Sequence, residues 1–303
     1  MKKELGLFVL LAVLCLTVVG VDIGKQLRDQ HKFHQNFPDQ PVPSLTMPRF
    51  LTATNLTNTA NLIGLFGIFS IGLGLIIITG GIDLSVGSMF ALGGVLLSLA
   101  LMDWHWPWPL AAAGALLIPM ALGWAHGALV TRMKIQPFIV TLCGLLIYRG
   151  MARFIADDTT KGFGSSEGFE MLRDLARGKL LGVPKPFVIL IVVSIVMWFV
   201  LHRSTYGRYL LAVGRNEEAT RFSGVNTRRV IVSSYVIGGL LTGISGVLFA
   251  FYTNSVSPST HGNFYELYGI AAAVLGGCSL RGGEGSILGI VIGTALLRVL
   301  QNL

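Results

Sequence analysis

Charged residues are scarce in this sequence. Asp, Glu, Lys and Arg make up 13% of its 303 residues, whereas a soluble domain usually carries about 25%. Hydrophobic residues make up 52%, and the mean hydropathy is +0.68. The composition therefore excludes an ordinary soluble domain and favours a membrane protein.

The sequence also has no recognisable catalytic or metal-binding pattern. It contains no phosphate-binding G-x-x-x-x-G-K-[ST] element, nucleophile elbow or zincin helix. Its three cysteines, Cys15, Cys143 and Cys278, have no C-x-x-C spacing, and its six histidines are scattered. We predict that the chain is not an enzyme by itself and holds no metal or cofactor.

Long apolar runs, each bounded by charges, Pro or Gly, are abundant. About 20 such residues cross a bilayer core as a helix. We predict an all-α polytopic membrane protein, a single transmembrane domain over 1–303, with nine visible spanning helices near 5–21, 52–78, 84–102, 109–130, 137–153, 186–202, 230–252, 266–279 and 286–303.

The net charge of +8 comes mainly from Lys and Arg in short segments between these runs. Anionic lipid and cytosolic partners are the natural counterparts of such segments, so we predict contact with the lipid membrane and no nucleic-acid partner.

The segment 203–229 is strongly basic, and the short link 132–134 is basic too. The positive-inside rule puts both in the cytoplasm with the N-terminus, and puts loops 22–51 and 154–185 on the periplasmic side.

The first informative motif is T-G-G-I-D-L-S-V-G-S at 79–88, between two apolar runs. Glycines let a helix end in a left-handed cap, and an Asp or Ser side chain can cap the next helix. A break at membrane depth is tolerated only where protein or a water-filled cavity satisfies the backbone. The alternatives are a capped turn, a substrate contact or a partner contact; the break or pathway candidates are Gly80, Gly81, Asp83, Ser85 and Gly87.

A second glycine-rich element, L-G-G-C-S-L-R-G-G-E-G-S, occupies 275–286. It lacks the lysine of a phosphate cradle, so we predict another helix break with close backbone packing. Its break or pathway candidates are Gly276, Gly277, Gly282 and Gly283. Its likeness to the first motif is interpreted as convergent turn chemistry.

The basic segment contains a third motif, G-R-N-E-E-A-T-R-F-S-G-V-N at 214–226. It predicts a short amphipathic helix that Gly224 ends. We expect Arg215, Glu217, Glu218 and Arg221 to form a charged rim and Ala219, Phe222 and Val225 a packing face. The alternative is a basic loop that faces lipid.

Asparagines recur every three residues at the head of the second span. Asn58 and Asn61, with Glu266 near the C-terminus, are candidates for an outward vestibule that receives hydroxyl-rich solutes. Side chains that satisfy the free backbone N–H groups at the start of the helix explain the asparagines equally well.

These three motifs closely resemble the permeases of bacterial ABC importers for ribose, xylose, arabinose and autoinducer, within the branched-chain amino acid/sugar permease superfamily. The resemblance implies ten helices in the complete pattern and a coupling helix that docks into the ATPase. The coupling residues carried over are Gly214, Arg215, Asn216, Glu217, Glu218, Ala219, Gly224 and Val225. The family commonly has an acid where this chain has Tyr268, so substrate choice or gating can differ.

The resemblance also implies partners: a cytoplasmic ATP-binding-cassette ATPase carrying ATP and Mg, a periplasmic sugar-binding protein, and a second permease copy or homologue. It implies import of a monosaccharide or related polyol-like solute across the bacterial inner membrane. The alternatives are an ion-coupled secondary transporter, an amino-acid or nucleoside permease of the same superfamily, and a channel.

Overall fold

The computed structural model describes residues 2–38, 40–164 and 168–302 and is almost entirely helical. Position 39 in the predicted loop 22–51, positions 165–167 in the predicted loop 154–185 and position 303 in the last predicted span lie outside the described residues. The helices are α1 (Lys2–Asn36), α2 (Ala53–Ile78), α3 (Val86–Met102), α4 (Trp108–Arg132), α5 (Pro137–Ile155), α6 (Glu170–Arg177), α7 (Lys185–His202), α8 (Thr205–Arg215), α9 (Glu217–Phe222), α10 (Thr227–Thr253), α11 (Tyr265–Leu275) and α12 (Ile287–Leu300).

Two short antiparallel pairings lie between helices. The strand β1 (Lys161–Gly162) pairs with β4 (Ser255–Val256), and β2 (Lys179–Leu180) pairs with β3 (Val183–Pro184). The first pairing joins the segment after α5 to the segment after α10.

Each predicted span coincides with an apolar helix, and the all-α polytopic class is confirmed. Six of these helices, α1, α2, α4, α5, α7 and α10, are long and apolar enough to cross a membrane. The helices α11 and α12 have 11 and 14 residues. At 1.5 Å per residue they are about 17 and 21 Å long, shorter than a bilayer core of about 30 Å. Among the described residues they are the two shortest of the nine predicted spans.

The first helix extends much further than predicted. Instead of giving way to a loop at residue 22, α1 continues to Asn36, so it is about 50 Å long at 1.5 Å per residue. The chain then folds back along it: the Asp22 carboxylate accepts the Phe50 N–H at 2.9 Å, and the Gln26 side-chain oxygen accepts the Thr46 N–H at 3.0 Å. The helical first half of 22–51 corrects the loop prediction, because polar residues end an apolar span without ending a helix.

The centre of the bundle is α2, which is buried over most of its length and packs against α10. Small residues permit this contact: a Cβ on Gly72 would lie 3.0 Å from the Gly238 Cα. On the other side of α10, a Cβ on Gly239 would overlap the backbone of Pro119 in α4. Interfaces of small residues are typical of helices that pack inside a membrane.

Candidate functional site

The three sequence motifs meet at one end of the bundle, which we call the motif end (residues 78–81, 214–215 and 276–285). The Gly283 N–H donates to the Ile78 carbonyl at 2.9 Å. A Cβ on Gly214 would overlap that carbonyl oxygen and the Gly283 nitrogen, and a Cβ on Gly282 would lie 2.9 Å from the Gly80 nitrogen. The backbones of α2, α8 and the glycine-rich hairpin after α11 therefore touch without intervening side chains.

All three motifs end a helix in the same way. Gly80, Gly224 and Gly277 have φ of +83°, +85° and +89° and follow the last residues of α2, α9 and α11. Each ending has the two hydrogen bonds of a Schellman motif; after α2 these are Gly81 N–H to Ile76 O at 3.0 Å and Gly80 N–H to Ile77 O at 2.8 Å. The predicted left-handed caps at Gly80 and Gly224 are confirmed.

Helix α9 turns Thr220 toward the bundle. Ala219 and Phe222 of the predicted packing face are exposed, Phe222 with 79% of its surface. These two residues are therefore free of the bundle, and their packing on a partner stays a prediction. The predicted charged rim of Arg215, Glu217, Glu218 and Arg221 is exposed.

Asn216, a predicted coupling residue, has a local structural role. Its side-chain oxygen accepts the Ala219 N–H at 2.9 Å and so caps the N-terminus of α9. The neighbouring Val225 is half-buried, and Asn226 caps α10 in the same manner. These two caps fix where α9 and α10 begin.

A cavity of about 630 Å³ opens beside α9 at the motif end. Its walls combine the Gly80–Gly81 turn with Glu217 and Glu218 of α9, Lys134 after α4 and Tyr235 of α10. The Tyr235 hydroxyl lies 3.5 Å from the Ile82 carbonyl. The cavity therefore reaches from the exposed charged helix to the backbone just before Asp83.

Asp83 is buried and closes a turn. Its carboxylate accepts the Ser85 N–H at 2.8 Å and the Ser85 hydroxyl at 2.6 Å. The residue preceding α3 is Ser85, and its side chain makes no capping hydrogen bond. The turn interpretation fits, while the prediction that Asp83 or Ser85 caps α3 is wrong.

A buried histidine that the sequence did not single out lies beside Asp83. His126 Nδ1 is 4.0 Å from the Asp83 carboxylate, and His126 Nε2 is 2.8 Å from the Tyr148 hydroxyl. A hydrogen bond thus joins α4 to α5 beside Asp83, while His126 Nδ1 has no hydrogen-bond partner among the described residues. Nothing in the local sequence of His126 distinguishes it from a histidine that faces lipid.

The vestibule candidates separate into two places. Asn58 and Asn61 line a cleft of about 310 Å³ with Arg177, Lys179 and Tyr252, at the end of α2 away from the motif end. Asn61 is buried, and its side-chain oxygen has no hydrogen-bond partner among the described residues. Glu266 is not part of this cleft: it is 7% exposed and lies against Gly87 of α3. The structure therefore does not bring Glu266 together with the two asparagines.

With this geometry established, residues 55–303 match the family described as branched-chain amino acid transport system / permease component. The chain belongs to this permease family. The matched range contains all three motifs, the helices from α3 to α12 and all but the first two residues of α2.

Individual relatives of this permease are similar along most of the chain. The ribose import permease protein RbsC of Escherichia coli strain K12 is 37% identical over 261 residues, 86% of this chain and 81% of that protein. RbsC of Bacillus subtilis strain 168 is 36% identical over 262 residues, 86% and 80%. The fructose import permease protein FrcC of Rhizobium meliloti is 32% identical over 256 residues, 83% and 71%. No solved structure matches the permease.

Proposed function

We propose that this permease is the membrane-spanning subunit of an ATP-driven importer for a monosaccharide or a related small polyol-like solute, in the inner membrane of a bacterium. Family membership and relatives named for ribose and fructose import support this function. The structural observation that carries it is the exposed helix α9, seated on the backbone contacts of the motif end.

Helix α9 has the properties of a docking element. Phe222 projects from it with 79% of its surface exposed, and exposed Glu217, Glu218 and Arg221 surround it. An aromatic anchor inside a charged rim is the usual composition of a protein interface. The partner we propose is a cytoplasmic ATP-binding-cassette ATPase that carries the ATP and Mg, with 203–229 and the N-terminus on the cytoplasmic side.

Movement of α9 has a direct route into the bundle. Helix α8 leads to α9, and Gly214 near the end of α8 touches the backbone of Ile78 in α2 and of Gly283 before α12. Packed backbones transmit displacement because no flexible side chain lies between them. Rigid-body motion of the ATPase would therefore shift α2 and α12 and switch the bundle between outward-open and inward-open states.

The cleft at Asn58 and Asn61 is the proposed entrance for the solute. Its polar lining, with the unpartnered oxygen of buried Asn61, suits a molecule that carries several hydroxyl groups. Delivery would come from a periplasmic sugar-binding protein at this end. Cargo would then pass between this chain and a second permease copy or homologue.

Co-purification from gently solubilised membranes tests this function. We expect an ATP-binding-cassette ATPase to accompany the wild-type permease and to be lost with Phe222→Ser or Glu217→Arg. The matched control is Phe154→Ser, because Phe154 is 84% exposed but lies at the end of α5 away from the motif end. An ATPase retained by both α9 variants, or none found with the wild type, would contradict the proposal.

A further inference from the structure

Helix α11 begins inside the bundle. Its 11 residues end at the motif end, so its N-terminus is about 17 Å from there, near the middle of a core of about 30 Å. Tyr265 at this N-terminus packs on Phe66 and Phe69 of α2, with ring centroids 4.7 and 6.4 Å apart. The chain between α10 and α11 therefore descends to the middle of the membrane before it becomes helical.

Helix α3 begins at the same depth. Its second residue, Gly87, lies so close to Gly262 that a Cβ on either would overlap the carbonyl oxygen of the other. The two helix starts and the non-helical segment beside them form what we call the helix junction (residues 85–87 and 257–266). Non-helical backbone at membrane depth must be satisfied by protein groups.

Arg149 of α5 donates hydrogen bonds to backbone carbonyl groups of the helix junction. Its Nη1 donates to the Pro258 carbonyl at 3.1 Å and to the His261 carbonyl at 2.7 Å, and its Nη2 donates to the Gly87 carbonyl at 3.3 Å. A single planar guanidinium thus ties the segment before α11 to the first turn of α3. A lysine could not reproduce this fork.

Glu266 is the counterpart of Arg149. Its carboxylate lies so close to Gly87 of α3 that a Cβ on that glycine would overlap its Oε2, and its negative charge at the start of α11 is attracted to the Arg149 guanidinium. A negative charge is favourable at a helix N-terminus, and the Glu266 carboxylate lies at the N-termini of both α11 and α3. Because Glu266 is buried and Arg149 is half-buried, loss of either group leaves the charge of the other poorly compensated.

We propose that Arg149 and Glu266 are positioning residues for translocation, which hold the N-termini of α3 and α11 together as one unit in the membrane. This inference rests on the proposed function. Both helices lead back to the motif end, α11 through Gly276 and α3 through the turn at Gly80. A displacement at α9 therefore reaches the helix junction. If the junction is loosened, the displacement no longer moves the N-termini of α3 and α11 together.

The test uses the complete importer in vesicles, with ATP hydrolysis and solute uptake measured together. In Arg149→Gln and in Glu266→Gln, we expect solute moved per ATP hydrolysed to fall several-fold, with Arg149→Lys in between. The matched control is Arg153→Gln, one turn along α5, where Arg153 is exposed and pairs with Asp158. A purely structural role would lower both rates in proportion to assembled complex. An unchanged ratio in assembled Arg149→Gln importer would overturn the positioning role.

A double-mutant cycle on the purified permease separates this inference from the proposed function. We expect Arg149→Gln to lower the Tm by about 10 °C, and Arg149→Gln/Glu266→Gln to cost less than the two single changes added together. If the losses of the two single variants simply add in the double variant, Arg149 and Glu266 do not interact. That result would overturn the pairing whether or not the importer works. A wild type without ATP-driven uptake would instead count against the proposed function.

Discussion

The motif end and the helix junction are both places where helices break, yet different forces hold them. At the motif end, backbone lies on backbone, with Gly214 and Gly283 meeting at the Ile78 carbonyl. At the helix junction, two ionisable side chains, Arg149 and Glu266, hold the broken segments. We therefore expect the motif end to lose stability when atoms are added, and the helix junction to lose stability when a charge or hydrogen bonds are removed.

The largest effect should come from adding one methyl group at the motif end. In Gly214→Ala the new Cβ overlaps the Ile78 carbonyl oxygen and the Gly283 nitrogen, neither of which can rotate away. We expect a loss of about 3 kcal/mol or more in the free energy of unfolding. Thermal unfolding in detergent measures it. Gly114→Ala in α4 is the control, because nothing lies within 4 Å of its Cβ; equal stability of the two variants would contradict close packing at the motif end.

A smaller effect is expected from removing one hydroxyl inside the bundle. Tyr148→Phe removes the partner at 2.8 Å from His126 Nε2, and a buried polar atom left without its partner costs about 1–3 kcal/mol. Denaturant or thermal unfolding should register this loss. Tyr209→Phe, at an exposed site on α8, should leave stability unchanged. Equal stability of the two variants would show that the His126–Tyr148 hydrogen bond adds no stability.

A local effect is expected at the cap of α9. Asn216→Ala removes the acceptor of the Ala219 N–H, which should cost about 1 kcal/mol of helix stability. Hydrogen exchange of residues 217–222 should then accelerate, and the ATPase should bind more weakly. Asn226→Ala removes the equivalent cap of α10. If both variants weakened ATPase binding equally, α9 would not be the docking element.

The smallest effect is expected outside the membrane, at the exposed pair of Asp158 and Arg153. A hydrogen bond from Arg153 holds the pKa of Asp158 below its usual value. Stability from this pair is therefore present above the ordinary aspartate pKa and is lost as the pH falls through the lowered one. Asp158→Asn should cost little at neutral pH, because exposed pairs are weak. A difference from wild type that grew on acidification would contradict this sign.

The motif end was largely predictable because its determinants are local. Glycines that end helices, the charged run at 214–226 and the apolar spans can each be recognised within a few residues, and the structure has helices at the predicted places. What the sequence could not predict there is which side of α9 packs inward, since Thr220 rather than Phe222 is buried. A six-residue helix is too short for its apolar pattern to fix its rotation.

The helix junction was not predictable, because its partners are distant in sequence. Arg149 lies in an apolar span and contacts carbonyl groups after α10, and a contact with backbone leaves no trace in side-chain patterns. Glu266 was assigned to an outward vestibule, although it lies against Gly87. The length of α1 is not predictable from its apolar run either, since polar residues continue the helix after that run ends.

We propose that ATP, not an ion gradient, drives solute through this permease. The most direct measurement is uptake of labelled ribose or fructose into vesicles that contain the permease with its copurified ATPase and a soluble sugar-binding protein, with ionophores present to collapse all ion gradients. We predict uptake that requires ATP on the side of α9, survives the ionophores and disappears with Phe222→Ser. Uptake that needs no ATP and stops with the ionophores would contradict the account and favour an ion-coupled transporter.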